Sequence, residues 1–253
     1  MDLGLKGLKA LITGGSKGIG RHCAEIFAAE GADVAICGRN VADVHAALDA
    51  LKGRGVSTYG RSVDVSDKTA LEEWVSGAAE ALGGIDIVVA NVSALAVADD
   101  EAAWKAGFET DMMHTVRLVN AAMPWLEKSQ AAAITAISSV SGRETDFTGP
   151  AYGAFKAALV HYMHGLAVKL APKGIRANAV SPGNTYFEGG IWQQIETGNP
   201  DLFRQALSLN PTGRMGRPEE VARGVVFLSS PASSFTMGTN LVIDGALTRG
   251  VQL

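Results

Sequence analysis

The chain has 253 residues, 47% of them hydrophobic and 19% charged, with a formal net charge of −4 at pH 7. That is enough apolar material for one large α/β domain spanning residues 1–253, and the acidic balance argues against a nucleic-acid partner, which needs a basic face. Cys23 and Cys37 are the only cysteines and have no zinc-ligand spacing, while no basic leader and no apolar run of about 18 residues occurs, so a cytoplasmic chain with no metal and no membrane contact is expected.

Short apolar runs alternate with longer helical patterns along the chain. Residues 8–13 precede a helical stretch at 18–30, 33–37 precede 41–51, and 85–90 precede 101–126. The alternation continues with 131–138 before 151–170, then 175–180, and finally 218–229 before 241–243. Strands alternating with helices predict βαβ units, so the expected fold is a doubly wound parallel sheet of Rossmann type in three α/β/α layers. Residues 181–217 read as irregular, and a segment that long inside a compact domain suggests a binding loop, placed at about 184–215.

The first strand runs directly into Gly14-Gly15-Ser16-Lys17-Gly18-Ile19-Gly20 and a helix. Glycines let the backbone turn tightly against a pyrophosphate, whose charge the free N–H groups and the positive helix end stabilise. The second strand ends in Gly38-Arg39-Asn40, without the acid that would bind a ribose 2′-hydroxyl. Arg39 can instead pair with a 2′-phosphate and Lys17 can add a second cation, which predicts NADP(H) rather than NAD(H).

Tyr152 and Lys156 stand four residues apart on a predicted helix and so share a face. A phenol is a weak acid at neutral pH, and a neighbouring cation favours its ionised form. Thirteen residues before Tyr152, Ser139 closes an apolar strand, at the end where open α/β sheets bind ligands. The turn Thr-Gly-x-x-x-Gly-Ile-Gly at 13–20, then Ser139, then Tyr-x-x-x-Lys at 152–156 resembles the short-chain dehydrogenase/reductase family, over essentially the whole chain.

The resemblance implies a small-molecule carbonyl or alcohol substrate, with Ser139 holding its oxygen, Tyr152 exchanging its proton and Lys156 holding the nicotinamide ribose. It also implies cofactor contacts at Gly14, Ser16, Lys17, Gly18, Ile19, Gly20, Arg39, Asp64, Val65, Asn91, Tyr152, Lys156, Pro182, Gly183 and Thr185, with Asp64 toward the adenine. Departures from the family pattern are Val92-Ser93 after Asn91, Phe187 in place of a threonine, and Asp111 in place of an asparagine counted back from Pro124. Asp111 is therefore a catalytic candidate, while His114 reads as a packed histidine.

Phe187 and Trp192 lie in an aromatic stretch of the expected loop and are the candidate substrate contacts, suiting a hydrophobic or aromatic ketone. The same side chains could simply pack the loop onto the body. Residues 151–170 are apolar almost all round, which implies burial on more than one side and, with the resemblance, a homotetramer. Two alternatives stand beside this reading: a 3-oxoacyl-[acyl-carrier-protein] reductase, which needs a basic docking rim, and a non-catalytic NADP(H) sensor or scaffold, against which the retained Ser139, Tyr152 and Lys156 argue.

Overall fold

A computed structural model describes residues 1–251. Seven strands, β1 (Lys9–Thr13), β2 (Asp33–Gly38), β3 (Thr58–Ser62), β4 (Ile87–Ala90), β5 (Ala133–Ile137), β6 (Arg176–Pro182) and β7 (Asn240–Ile243), form one parallel sheet in the order β3-β2-β1-β4-β5-β6-β7. The central strands are buried on both faces, and their side chains alternate between two cores. Leu11 and Val88 face one side with Trp74, Leu118 and Met163; Ile12, Ile87 and Val89 face the other with Phe27, Val44 and Val225.

The helices that supply those cores are α1 (Gly18–Ala29), α2 (Val41–Leu51) and α9 (Pro218–Ser229) on one face, with α3 (Lys68–Leu82), α5 (His114–Leu126) and α6 (Pro150–Leu170) on the other. Local chemistry sets their starts. Asn40 accepts the Asp43 N–H at the head of α2, and Asp67 accepts the Ala70 N–H at the head of α3. The strand order reverses at β1, which pairs with both β2 and β4. Chain leaving the carboxyl ends of β1 and β4 therefore diverges, opening a crevice between the glycine turn and Asn91.

Two expectations need correction. The helix expected at 101–126 is interrupted: α4 (Glu101–Gly107) gives way to a π-helical turn, Phe108–Met113, before α5 resumes. The wider turn carries Asp111, which is buried, and such turns gather at functional sites. The stretch at 181–217 is not irregular but holds α7 (Ile191–Gly198) and α8 (Pro200–Ser208), the second started by Asn199 and Pro200. Trp192, Ala206 and Met215 give these helices a small core of their own.

Within the single chain α6 buries only part of its apolar surface. Ala154, Ala158 and Val168 remain exposed, Val168 to 68%. Among the described residues, no helix is long and apolar enough to cross a membrane.

Candidate active site

The glycine turn is held by close backbone packing. Gly14 and Gly18 have φ of +65° and +53°, where a side chain is strained. A Cβ on Gly20 would stand 2.4 Å from the Gly14 carbonyl oxygen. Asn91 locks the turn by donating from Nδ2 to Thr13 O (3.1 Å) and Gly14 O (3.2 Å), while its own N–H reaches Thr13 Oγ1 at 3.1 Å. Among the described residues no side chain caps the start of α1 and no acid stands in its first turn, so its N–H groups are open to an anion.

The flanking cations differ. Arg39 is exposed at the end of β2, whereas Lys17 is paired with Asp43 at 2.8 Å. Ser16 lies against that strand end, since a Cβ on Gly38 would approach its Oγ to 2.7 Å. Asp64 follows β3, exposed, and accepts the N–H and hydroxyl of Ser66, hydrogen bonds that hold its carboxyl below the usual range. Val65 beside it is buried.

Lys156 is the most unusual side chain of the crevice. It is 2% exposed, with Nζ 3.1 Å from Ile137 O, 3.0 Å from Asp111 Oδ1 and 5.6 Å from the Tyr152 ring centroid. Burial works to lower its pKa, but the charge of Asp111 and then Tyr152 outweighs that, leaving the ammonium above its ordinary value. Asp111 is equally buried; its Oδ2 accepts the Ala94 N–H at 3.0 Å. Its Oδ1 meets Lys156 as a close ion pair, without an aligned hydrogen-bond donor among the described residues.

Ser139 is brought to the head of α6 by glycines. It opens a tight turn, Val140–Gly142, where a Cβ on Gly142 would fall 2.7 Å from Ala157 N and one on Gly153 2.7 Å from Ser141 O. Ser138 fastens the same junction by donating to Lys156 O at 2.7 Å. The Ser139 hydroxyl donates to Ser141 Oγ (3.1 Å), and Ser141 donates to Asp146 Oδ2 (2.5 Å). Asp146 is fixed in turn by the N–H and hydroxyl of Thr148 on its other oxygen.

Ser141 and Asp146 escaped the sequence reading, and so did the partner of His114. That histidine is fully buried, with Nδ1 3.1 Å from Thr110 O and Nε2 3.0 Å from Thr13 Oγ1. A carbonyl can only accept, so Nδ1 carries the hydrogen and Nε2 accepts from Thr13. Burial drives its pKa down to about 4, keeping it neutral.

The two candidate substrate contacts are separated. The Phe187 ring lies over the phosphate turn, 2.6 Å from where a Gly18 Cβ would be. Trp192 is buried in the small core of α7 and α8, which together form the lid of this region, edge-on to Phe147 with centroids 5.3 Å apart. Pro182 ends β6, a Cβ on Gly183 would stand 2.8 Å from Asp244 Cα, and Thr185 bridges to Gly216 and donates to Gly183 O. A cavity of about 470 Å³ lies between Val140, Phe147, Asn184 and α8, and neither Phe187 nor Trp192 lines it.

A family model described as enoyl-(acyl carrier protein) reductase matches residues 14–248. The chain belongs to the short-chain dehydrogenase/reductase family. This dehydrogenase/reductase is 40% identical over 258 residues to isoepoxydon dehydrogenase from Penicillium expansum, covering 100% of this chain and 99% of that one. Among solved structures it is similar to L-sorbose reductase from Gluconobacter frateurii complexed with NADPH and L-sorbose (29% identity, TM-score 0.90, 99% and 100% covered). It is also similar to an NADPH-bound short-chain oxidoreductase from Pseudomonas aeruginosa containing an atypical catalytic center (30% identity, TM-score 0.88, 96% and 98% covered). As a family member it is an oxidoreductase acting on alcohol and carbonyl groups.

Proposed function

We propose that this chain interconverts a ketone and a secondary alcohol with NADP(H), the whole chain acting as one catalytic domain and Ser139, Tyr152 and Lys156 as its catalytic residues. The observation that carries the reading is the placement of Lys156 Nζ 5.6 Å over the Tyr152 ring, beside the turn that begins at Ser139. In reduction, Ser139 holds the carbonyl oxygen, Tyr152 delivers a proton to it, and the ammonium of Lys156 stabilises the phenolate left behind. In oxidation, the same phenolate takes the hydroxyl proton. The nicotinamide supplies or accepts the hydride when bound.

The chain's residues fit such a cofactor. The open start of α1 receives the pyrophosphate, Asn91 keeps the turn in shape, and Lys156 can reach the nicotinamide ribose. The exposed guanidinium of Arg39 and the absence of an acid at the end of β2 favour NADP(H) over NAD(H), a preference supported by the NADPH in the two similar structures. Asp111 acts through Lys156 by setting its charge. The exposed apolar side of α6 supports a homotetramer.

The test is NADPH consumption across a panel of cyclic, aromatic and acyl-thioester ketones, with NADH and Tyr152→Phe as controls. Turnover that prefers NADPH and disappears in Tyr152→Phe is the expected result. NADPH binding without turnover of any ketone overturns the enzymatic reading in favour of a sensor.

A further inference from the structure

We infer that the C-terminal segment 247–250 is a size-selecting wall of the substrate cavity, latched by Glu144, and that the substrate is a ring-sized carbonyl compound or its alcohol. The inference rests on the proposed function, whose substrate class it narrows.

The latch is visible in the hydrogen bonds. Glu144 Oε1 accepts the N–H of Arg249 at 3.0 Å and of Gly250 at 2.8 Å, joining the segment to the loop that follows Ser139. The segment is shaped before it arrives there. Asp244 accepts the N–H of Ala246 and both the N–H and hydroxyl of Thr248, and Ala246 takes a φ of +64° to make the bend. Charge-assisted bonds of this kind are among the stronger local ties a chain has.

What the latch holds is one side of the 470 Å³ cavity. Leu247, Thr248 and Arg249 line it, opposite lid residues of α8 such as Leu202 and Ala206, and Val140 lines it next to Ser139. The volume lies within the small-ligand range of about 300–1,000 Å³. Its lining carries both signs of charge, the carboxylates of Glu144 and Asp146, engaged in the hydrogen bonds above, and the guanidinium of Arg249. A ketone carrying a group that projects toward Leu247 and Arg249 has to displace the segment and break both Glu144 bonds.

The loop that carries Glu144 also carries Asp146, which ends the hydroxyl chain from Ser139, and Phe147, which meets Trp192 of the lid. Lid, wall and reacting hydroxyl thus share seven residues of chain, Arg143–Gly149.

The experiment compares kcat/KM for an unsubstituted cyclic ketone and for the same ring carrying a long alkyl chain, in the wild type, Glu144→Ala, Glu144→Gln and Leu247→Ala. Loss of the latch in Glu144→Ala is expected to raise the large-to-small ratio about tenfold, with NADPH affinity unmoved. Glu144→Gln, whose amide oxygen still accepts both N–H groups, restores the wild-type ratio, and Leu247→Ala raises it by enlarging the cavity. Turnover with one ratio in the wild type, Glu144→Ala and Leu247→Ala overturns the wall. If Glu144→Ala does not fold, Leu247→Ala alone decides between these results. Absence of turnover of every ketone by the wild type overturns the proposed function, and this inference with it.

Discussion

Lys156 Nζ and Asp111 Oδ1 stand 3.0 Å apart with both side chains 2% exposed, so each charge is compensated mainly by the other. Removing one partner strands the second in a dry site. Asp111→Ala is expected to cost about 3–5 kcal/mol, read from urea unfolding, because it leaves an ammonium uncompensated. Asp111→Asn keeps an acceptor for Ala94 N–H but removes the negative charge, so Lys156 acts more strongly on Tyr152. Alcohol oxidation, which uses the phenolate, should then be faster at neutral pH than in the wild type. An unchanged kcat for oxidation in Asp111→Asn would show that the carboxylate only packs.

The same pair sets an alkaline limit. The folded pKa of Lys156 is raised above its ordinary 10.5, so its stabilisation is complete below that pH and is lost as pH climbs through the folded value. Stability should fall above about pH 10.5 more steeply in the wild type than in Asp111→Asn, as measured by thermal unfolding at matched ionic strength.

His114 predicts the opposite limb. Its folded pKa is about 4 against 6.5 for the free side chain, so between those values the unfolded chain binds a proton that the folded chain refuses. The contribution is complete above pH 6.5 and lost progressively down to pH 4, amounting to about 3 kcal/mol. The difference between wild-type and His114→Gln unfolding free energies should therefore narrow across that window as pH falls. Parallel curves would sink the assignment.

The sequence disclosed whatever local spacing controls. The glycine turn, Ser139 and the pair Tyr152 and Lys156 could be read because a strand end and one helical turn fix their geometry. What escaped is set by partners remote in the chain. β3 was absent from the apolar pattern because Thr58–Ser62 is a partly exposed edge with little apolar content. The π-helical turn under Asp111 follows from where its side chain must reach, and α7 and α8 are helices sustained by a private core. The bond from Glu144 to Arg249 joins residues 105 apart, which no motif announces.

Cofactor preference turns on which cations are free at the end of β2. Arg39→Ala should weaken NADPH binding by about 10- to 100-fold, the value of a charged hydrogen bond, while leaving NADH nearly unchanged. Lys17 is engaged by Asp43 at 2.8 Å, so Asp43→Asn should release it and raise NADPH affinity several-fold by titration of cofactor fluorescence. Equal losses for both cofactors in Arg39→Ala would move the 2′-phosphate elsewhere.

Asp146 supplies the last prediction, because it fixes the direction of a hydroxyl chain. A carboxylate can only accept, so Ser141 gives its hydrogen to Asp146 and is left to accept from Ser139. Ser139 must turn its hydrogen away from Ser141 to hold a carbonyl oxygen, and the chain defines the position from which it turns. Ser141→Ala leaves Ser139 rotationally free, and Asp146→Asn lets Ser141 reverse. Each should lower kcat for ketone reduction by about tenfold while cofactor affinity stays at its wild-type value, since neither residue borders the phosphate turn. A loss confined to KM would instead make the chain a part of the cavity lining alone, without a role in orienting the Ser139 hydroxyl.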